Sequence, residues 1–255
     1  MSDSLVLARR TVTKMFRNPE QFLDVTIQPI IMTVLFVFIF GGAVAGDSAN
    51  YLPFVIPGII VQTVMFTSLT IGVNLNTDIQ KGVFDRFRSL PIARSAPLFG
   101  AVIGDIVRHT IAVVVTLAFA VVIGFRFHTE WYMVLGGIAL IVLFAVSLCW
   151  VSVFIGMLAR SSGAVQGISF LIVFPLTFGS STFVPASTLP DWLQGWVAIN
   201  PVTHVIEAMR GLLAGPAAMA DGTTLGGEVF WVLASCVVLF AVFFPLATWA
   251  YRRKI

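Results

Sequence analysis

Charge is scarce in this sequence. Of its 255 residues, 11% are Asp, Glu, Lys or Arg, against about 25% in a typical soluble domain. No polar stretch is long enough to build a soluble domain of appreciable size. Cysteine is nearly absent too. Cys149 and Cys236 both lie inside apolar runs, read as small buried hydrophobes and carry no redox signal. The three histidines, His109, His128 and His204, are scattered, and there is no HExxH or CxxC. The sequence therefore offers no metal motif. It has no Gly-Lys dipeptide and hence no phosphate-cradling Walker A loop. A pump built from this chain must draw its energy from another chain or from an ion gradient. Ion-coupled carriers place carboxylates at the membrane midplane on broken helices. That feature is missing here, which points to an external motor. The formal charge of +3 calls for no nucleic-acid partner.

What the chain has in excess is apolar surface. Some 58% of residues are hydrophobic, and the mean hydropathy is +0.98. This predicts an all-α integral membrane protein forming one transmembrane domain over 1–255. A crossing helix needs about 20 mainly apolar residues. Six segments qualify, at 25–45, 52–76, 98–124, 132–158, 164–184 and 228–250. The prolines within them are tolerable where neighbouring groups satisfy the freed carbonyls.

The basic residues predict the orientation. Arg9, Arg10, Lys14 and Arg17 precede the first span, and Lys81, Arg86, Arg88 and Arg94 separate the second and third. Arg160 follows the fourth, and Arg252, Arg253 and Lys254 end the chain. Twelve of the fifteen thus share one side. By the positive-inside rule that side, with both termini, is cytoplasmic, in a cell membrane. Leu5, Ala8, Val12 and Met15 recur at helical spacing among the first basic residues. Residues 1–20 read as an amphipathic helix on the inner leaflet, or else as a disordered basic leader. No signal-peptide pattern precedes the first span.

The segment 185–227 is expected outside, before the last span. Asn200-Pro201 reads as an N-cap with a first-turn proline, and Gly215-Pro216 as the stop. The helix between them is too short and too charged to cross. It is expected to be re-entrant or interfacial, and it carries His204, Glu207 and Arg210. An ion pair between Glu207 and Arg210 is the simplest reading.

Several constellations lie within the spans. Thr63, Thr67, Thr70, Asn74 and Thr77 share one helical face, as helix-packing groups or as a transport path. Phe170, Phe174 and Phe178 form a stripe that faces lipid or lines a path for an apolar cargo. Asp105 and Arg108, at i, i+3, should pair within the membrane, because a lone charge there costs about 2.5–3.5 kcal/mol. A proton relay is the alternative. Gly100 and Gly104, and again Gly163 and Gly167, permit close helix approach. Ser180, Ser181 and His204 raise the possibility of an intramembrane serine protease, although no glycine follows either serine.

"DIQKGVFDRFRSLP", Asp78 to Pro91, gathers five charges between two apolar runs. With "GVFDRFRSLPIARSAPLFG" it resembles the loop between the second and third spans of ABC-2 type permeases, and most closely the daunorubicin-resistance type. "RNPEQF", the stretch "STLPDWLQGWVAINPVTHVIEAMRGLL" and the short basic tail agree with that family. The resemblance spans the whole chain. It implies a permease subunit of an ATP-driven exporter, not itself an enzyme, moving an amphipathic drug or lipid-like compound outward. A lipid or polysaccharide exporter would look much the same. It implies two cytoplasmic ATPase subunits that hold the ATP and magnesium, no cofactor on this chain, and a second permease copy, either identical or similar. It also implies that the cytoplasmic loop 78–97 holds a coupling helix, with Gly82, Phe84, Asp85, Arg86, Phe87, Arg88 and Leu90 at the ATPase contact.

Overall fold

The computed structural model describes residues 2–17, 19–45, 48–84 and 96–254. Within them the chain forms α1 (Ser2–Arg17), α2 (Pro19–Ala45), α3 (Ser48–Gln80), α4 (Ala96–Val122), α5 (Trp131–Leu158), α6 (Ser162–Phe178), α7 (Asp191–Ile199), α8 (Pro201–Leu213) and α9 (Leu225–Lys254). Short 3₁₀ turns at Ala186–Thr188 and Pro216–Ala218 flank the α7–α8 pair. Asp85, Arg86, Phe87, Arg88 and Leu90 lie outside the described residues.

Among the described residues four helices, α3, α4, α5 and α9, are long and apolar enough to cross a membrane. The apolar part of α2 is shorter, Val25–Ile39. Helix α6 has 17 residues, about 25 Å at 1.5 Å per residue, against about 30 Å of bilayer core. The run 164–184 reads as a span from composition, but the helix ends at Phe178. Gly179 caps it, and the next residues turn so that Ser180 and Thr182 hydroxyls both donate to the Thr177 carbonyl.

Helix α3 is the axis of the fold. It packs against α2, α4, α5, α6 and α8, and 72% of its most apolar window is buried, against 11% for α9. Its contact with α5 is the closest. A Cβ on Gly72 would collide with the Ser152 carbonyl, and one on Gly156 would stand 2.6 Å from the Gly72 carbonyl. The Gly72 N–H donates to Ser152 Oγ, which itself donates to the Leu69 carbonyl at 3.1 Å. Asn76 ties the C-terminal end of α3, donating to the Gly156 and Ala159 carbonyls at 2.9 Å.

The glycine pairs expected from sequence divide. Gly104 does take a helix at close range, and that helix is α1: a Cβ there would stand 2.7 Å from Thr11. Ala8 and Met15 of α1 are buried in the same contact, while Arg9 and Arg10 remain exposed. Gly163 and Gly167 meet nothing within 4 Å, so among the described residues they pack no helix.

Candidate functional site

The short helix α8 forms as its sequence signals direct. The Asn200 side chain accepts from the Val202 N–H at its start. At its end Gly215 takes φ +91°, a region that disfavours any residue with a Cβ. Asn200 also donates to the Leu176 and Gly179 carbonyls at 2.8 Å, which binds α8 to the end of α6. The helix does not lie on a surface. Val205, Ile206, Ala208 and Met209 are fully buried among α3, α5 and α9.

That burial carries Glu207 and Arg210 into the protein, where they pair as expected. Every polar atom of the pair is used. Glu207 accepts from Ser181 Oγ and from the Ala220 N–H, each at 3.0 Å. Arg210 donates to the Phe54 carbonyl at 3.0 Å and the Ser181 carbonyl at 2.6 Å, and lies 3.6 Å above the Phe54 ring. Burial lowers the Arg210 pKa from its ordinary value, and the Glu207 carboxylate opposes that shift. His204 turns elsewhere: it pairs with Glu228 at 2.7 Å and stacks on Trp231. Ser181 is committed to the ion pair and Ser180 to Thr177 and Thr182. The protease geometry, a serine facing His204, is thus not formed.

These groups wall an open cavity of about 1160 Å³, bordered by Phe54, His128, His204, Glu207, Arg210 and Glu228. Sequence spacing links only the members on α8. Ser181, Phe54 and Glu228 arrive from other elements, and no local signal announces them.

Asp105 and Arg108 pair at 2.7 Å on α4, again as expected. Arg108 also donates to the Thr67 carbonyl at 2.9 Å. His109 and Cys149 of α5 lie beside them, fully buried. Asp105 borders a cavity of about 60 Å³ between α1, α3 and α4, shared with Asn74 and Asp78. The sequence does not reveal that His109 and Cys149 meet, since they lie on different helices 40 residues apart.

The two stripes become neighbours. Thr63, Thr67, Thr70 and Asn74 are half-buried along α3. Phe170, Phe174 and Phe178 are exposed on α6. Phe66 of α3 meets Phe170 with ring centroids 5.5 Å apart, so one face of the protein carries both.

At the C-terminal end of α3, Gly82 takes φ +67° and turns the chain out of the helix. Phe84 is 4% exposed and packs edge-on against Tyr251 of α9, with centroids 5.8 Å apart. An aromatic ring with apolar neighbours in reach buries itself, so within the chain Phe84 anchors the turn to α9.

Comparison with known proteins agrees with this architecture. Residues 3–214 match the family described as "ABC-2 type transporter". The daunorubicin resistance ABC transporter permease protein DrrB1 of Streptomyces coeruleorubidus is 37% identical over 236 residues, covering 92% of this chain and 81% of that protein. The doxorubicin resistance ABC transporter permease protein DrrB of Mycobacterium tuberculosis is 28% identical over 254 residues, 96% of this chain and 82% of that protein. The ABC transporter G family member 20 of Dictyostelium discoideum is 25% identical over 229 residues, 88% of this chain and 29% of that longer protein. An apolar, helical chain without a nucleotide-binding loop, matched over most of its length in this way, belongs to the ABC-2 type transporter family as a membrane permease.

Proposed function

We propose that the chain is the permease subunit of a drug exporter and forms half of its pore, beside a second copy of itself. Two cytoplasmic ATPase subunits hold the ATP and magnesium and drive outward movement of an amphipathic compound. The observation that carries this reading is the near full-length similarity to a permease named for daunorubicin resistance. The joined face of α3 and α6 supports it. A polar stripe beside an aromatic one suits a cargo with both characters, and that face is only half-covered within one copy. Lipid or polysaccharide export is the second reading, favoured by the same amphipathic face.

In this reading α2, α3, α4, α5, α6 and α9 all cross the membrane, and α1 lies along the inner leaflet. The basic residues place both termini in the cytoplasm. The outer cavity then opens to the exterior, and α8 re-enters from that side. Residues 78–97 form the cytoplasmic coupling loop. Phe84 fixes it to α9, and the charged run Asp85 to Leu90 contacts the ATPase.

Co-purification of an ATPase subunit, with transport of a fluorescent anthracycline into inverted vesicles, tests the proposal. Phe87→Ala with Arg88→Glu should leave insertion intact, abolish ATPase capture and stop transport. A double variant that captures its ATPase and transports at the wild-type rate would make the run a topogenic loop only. Cysteine accessibility at Asp221 from outside and at Arg253 from inside checks the orientation.

A further inference from the structure

The side chains of Asp105, His109 and Cys149 converge at one fully enclosed point between α4 and α5. One oxygen, one nitrogen and one sulfur all lie within 4.8 Å of one another. His109 Nε2 stands 3.5 Å from Cys149 Sγ and 3.5 Å from Ser68 Oγ of α3, and Cys149 Sγ stands 3.9 Å from Asp105 Oδ2. His109 Nε2 is within hydrogen-bond reach of Cys149 Sγ, its Ser68 contact is longer than an ordinary hydrogen bond, and Nδ1 has no partner among the described residues. The same spacing of sulfur and nitrogen also fits a shared metal ion. A metal–sulfur distance of about 2.3 Å and a metal–nitrogen distance of about 2.0 Å, at a tetrahedral angle, separate the two ligand atoms by about 3.5 Å.

Charge selects the kind of ion. Arg108 already neutralises Asp105 at 2.7 Å. Loss of the Cys149 thiol proton leaves one negative charge to match, in surroundings where a net charge is costly. A thiolate and an imidazole together suit soft ions such as copper(I). We propose that Cys149 and His109, closed by Asp105 or Ser68, form a buried site for a monovalent thiophilic metal ion, copper(I) or its analogue silver(I).

Binding breaks the sulfur–hydrogen bond and forms a sulfur–metal bond. The released proton leaves with no change in oxidation state, so apparent affinity rises with pH. The small cavity beside Asp105, about 60 Å³ and bordered by Asn74 and Asp78, is the route in. It exceeds the roughly 10–15 Å³ that a single water needs. Arg108 orients the carboxylate from behind, the usual second layer of a metal site. The role is independent of the exported cargo: the ion clamps α3, α4 and α5 to one another.

The test uses the full chain, purified free of any accompanying ATPase subunit. In Cys236→Ala, Cys149 is the only remaining cysteine. Anaerobic copper(I) titration of this variant against a chromogenic copper(I) chelator should give about one tightly held ion per chain, consistent with a thiolate-led site. X-ray absorption should show one thiolate sulfur and at least one imidazole nitrogen around the copper. Cys149→Ser should lose the ion, and Ser68→Ala should weaken it by about tenfold if Ser68 acts as a supporting group. Silver(I) should raise the thermal midpoint of Cys236→Ala but not that of Cys149→Ser. The Cys236→Ala measurements touch no residue of the site, so they decide the matter even if a site variant fails to fold. No copper bound by Cys236→Ala, copper without sulfur or nitrogen neighbours, or zinc held as tightly as copper(I) would each overturn the proposal.

Discussion

Two ion pairs of the same design sit at different levels along α3. Asp105–Arg108 on α4 and Glu207–Arg210 on α8 share the i, i+3 spacing, and both are buried. The α8 pair is closed. Both carboxylate oxygens and all three guanidinium nitrogens have partners, and the Phe54 ring covers the cation. The α4 pair is open. Arg108 Nε has no hydrogen-bond partner among the described residues, and Asp105 borders a water-sized cavity. The same local motif thus gives a rigid joint in one place and an incompletely satisfied polar centre in the other. What surrounds the pair sets its role.

Removing the α8 cation is the harshest way to break this contrast. Arg210→Ala strands the Glu207 charge in the interior and should cost about 3–5 kcal/mol. The detergent-solubilised protein should lose its cooperative thermal transition; a midpoint equal to wild type would show that the joint is not structural. Arg108→Ala should cost less, about 1–3 kcal/mol, because water in the adjoining cavity can take up the freed carboxylate. If the two substitutions shift the midpoint equally, the distinction between closed and open pairs fails.

Glycine contacts sharpen the contrast from a second direction. Gly72→Ala drives a methyl group into the Ser152 carbonyl and should cost about 1–3 kcal/mol through overpacking. Gly163→Ala, with nothing within 4 Å, should leave the midpoint where it was. Equal effects would mean that α3 and α5 are free to separate. The smallest expected effect is at the exposed cap of α6. Ser161 accepts from the Ala164 N–H at 3.2 Å, and Ser161→Ala should cost about 0.5–1 kcal/mol. That value is the baseline against which the buried substitutions are compared in the same melting assay.

Local signals were legible in the sequence; long-range convergence was not. Asn200, Pro201 and Gly215 marked α8 because capping and left-handed φ are properties of a few adjacent residues. Hydropathy located the long helices for the same reason. Composition alone did not reveal that α6 stops at Phe178, because Phe183 and Val184 keep the run apolar across Gly179, Ser180, Ser181 and Thr182. The packing of Phe84 on Tyr251 was not readable, because Tyr251 lies at the other end of the chain. The Gly163/Gly167 spacing matched a packing motif that the described fold does not use, while Gly72 and Gly156, neither with a glycine four residues away, make the tightest contact. The pairings Asp105–Arg108 and Glu207–Arg210 were readable from i, i+3 spacing. Their surroundings came from helices distant in sequence.

The seam between α3 and α5 has a mechanical meaning. With Gly72 seated on Ser152 and Gly156, neither helix can slide along the other without collision, and packed interfaces of this kind shift between discrete arrangements and do not stretch. The two helices form a single lever. A force on the turn at Phe84 acts on that lever at its C-terminal end, and the 33 residues of α3 extend about 50 Å. The far end is Tyr51, whose hydroxyl holds the Phe183 carbonyl at 2.6 Å, with Phe54 beneath the Arg210 guanidinium close by. A displacement at one end of α3 therefore arrives at the other as a displacement of the cavity wall.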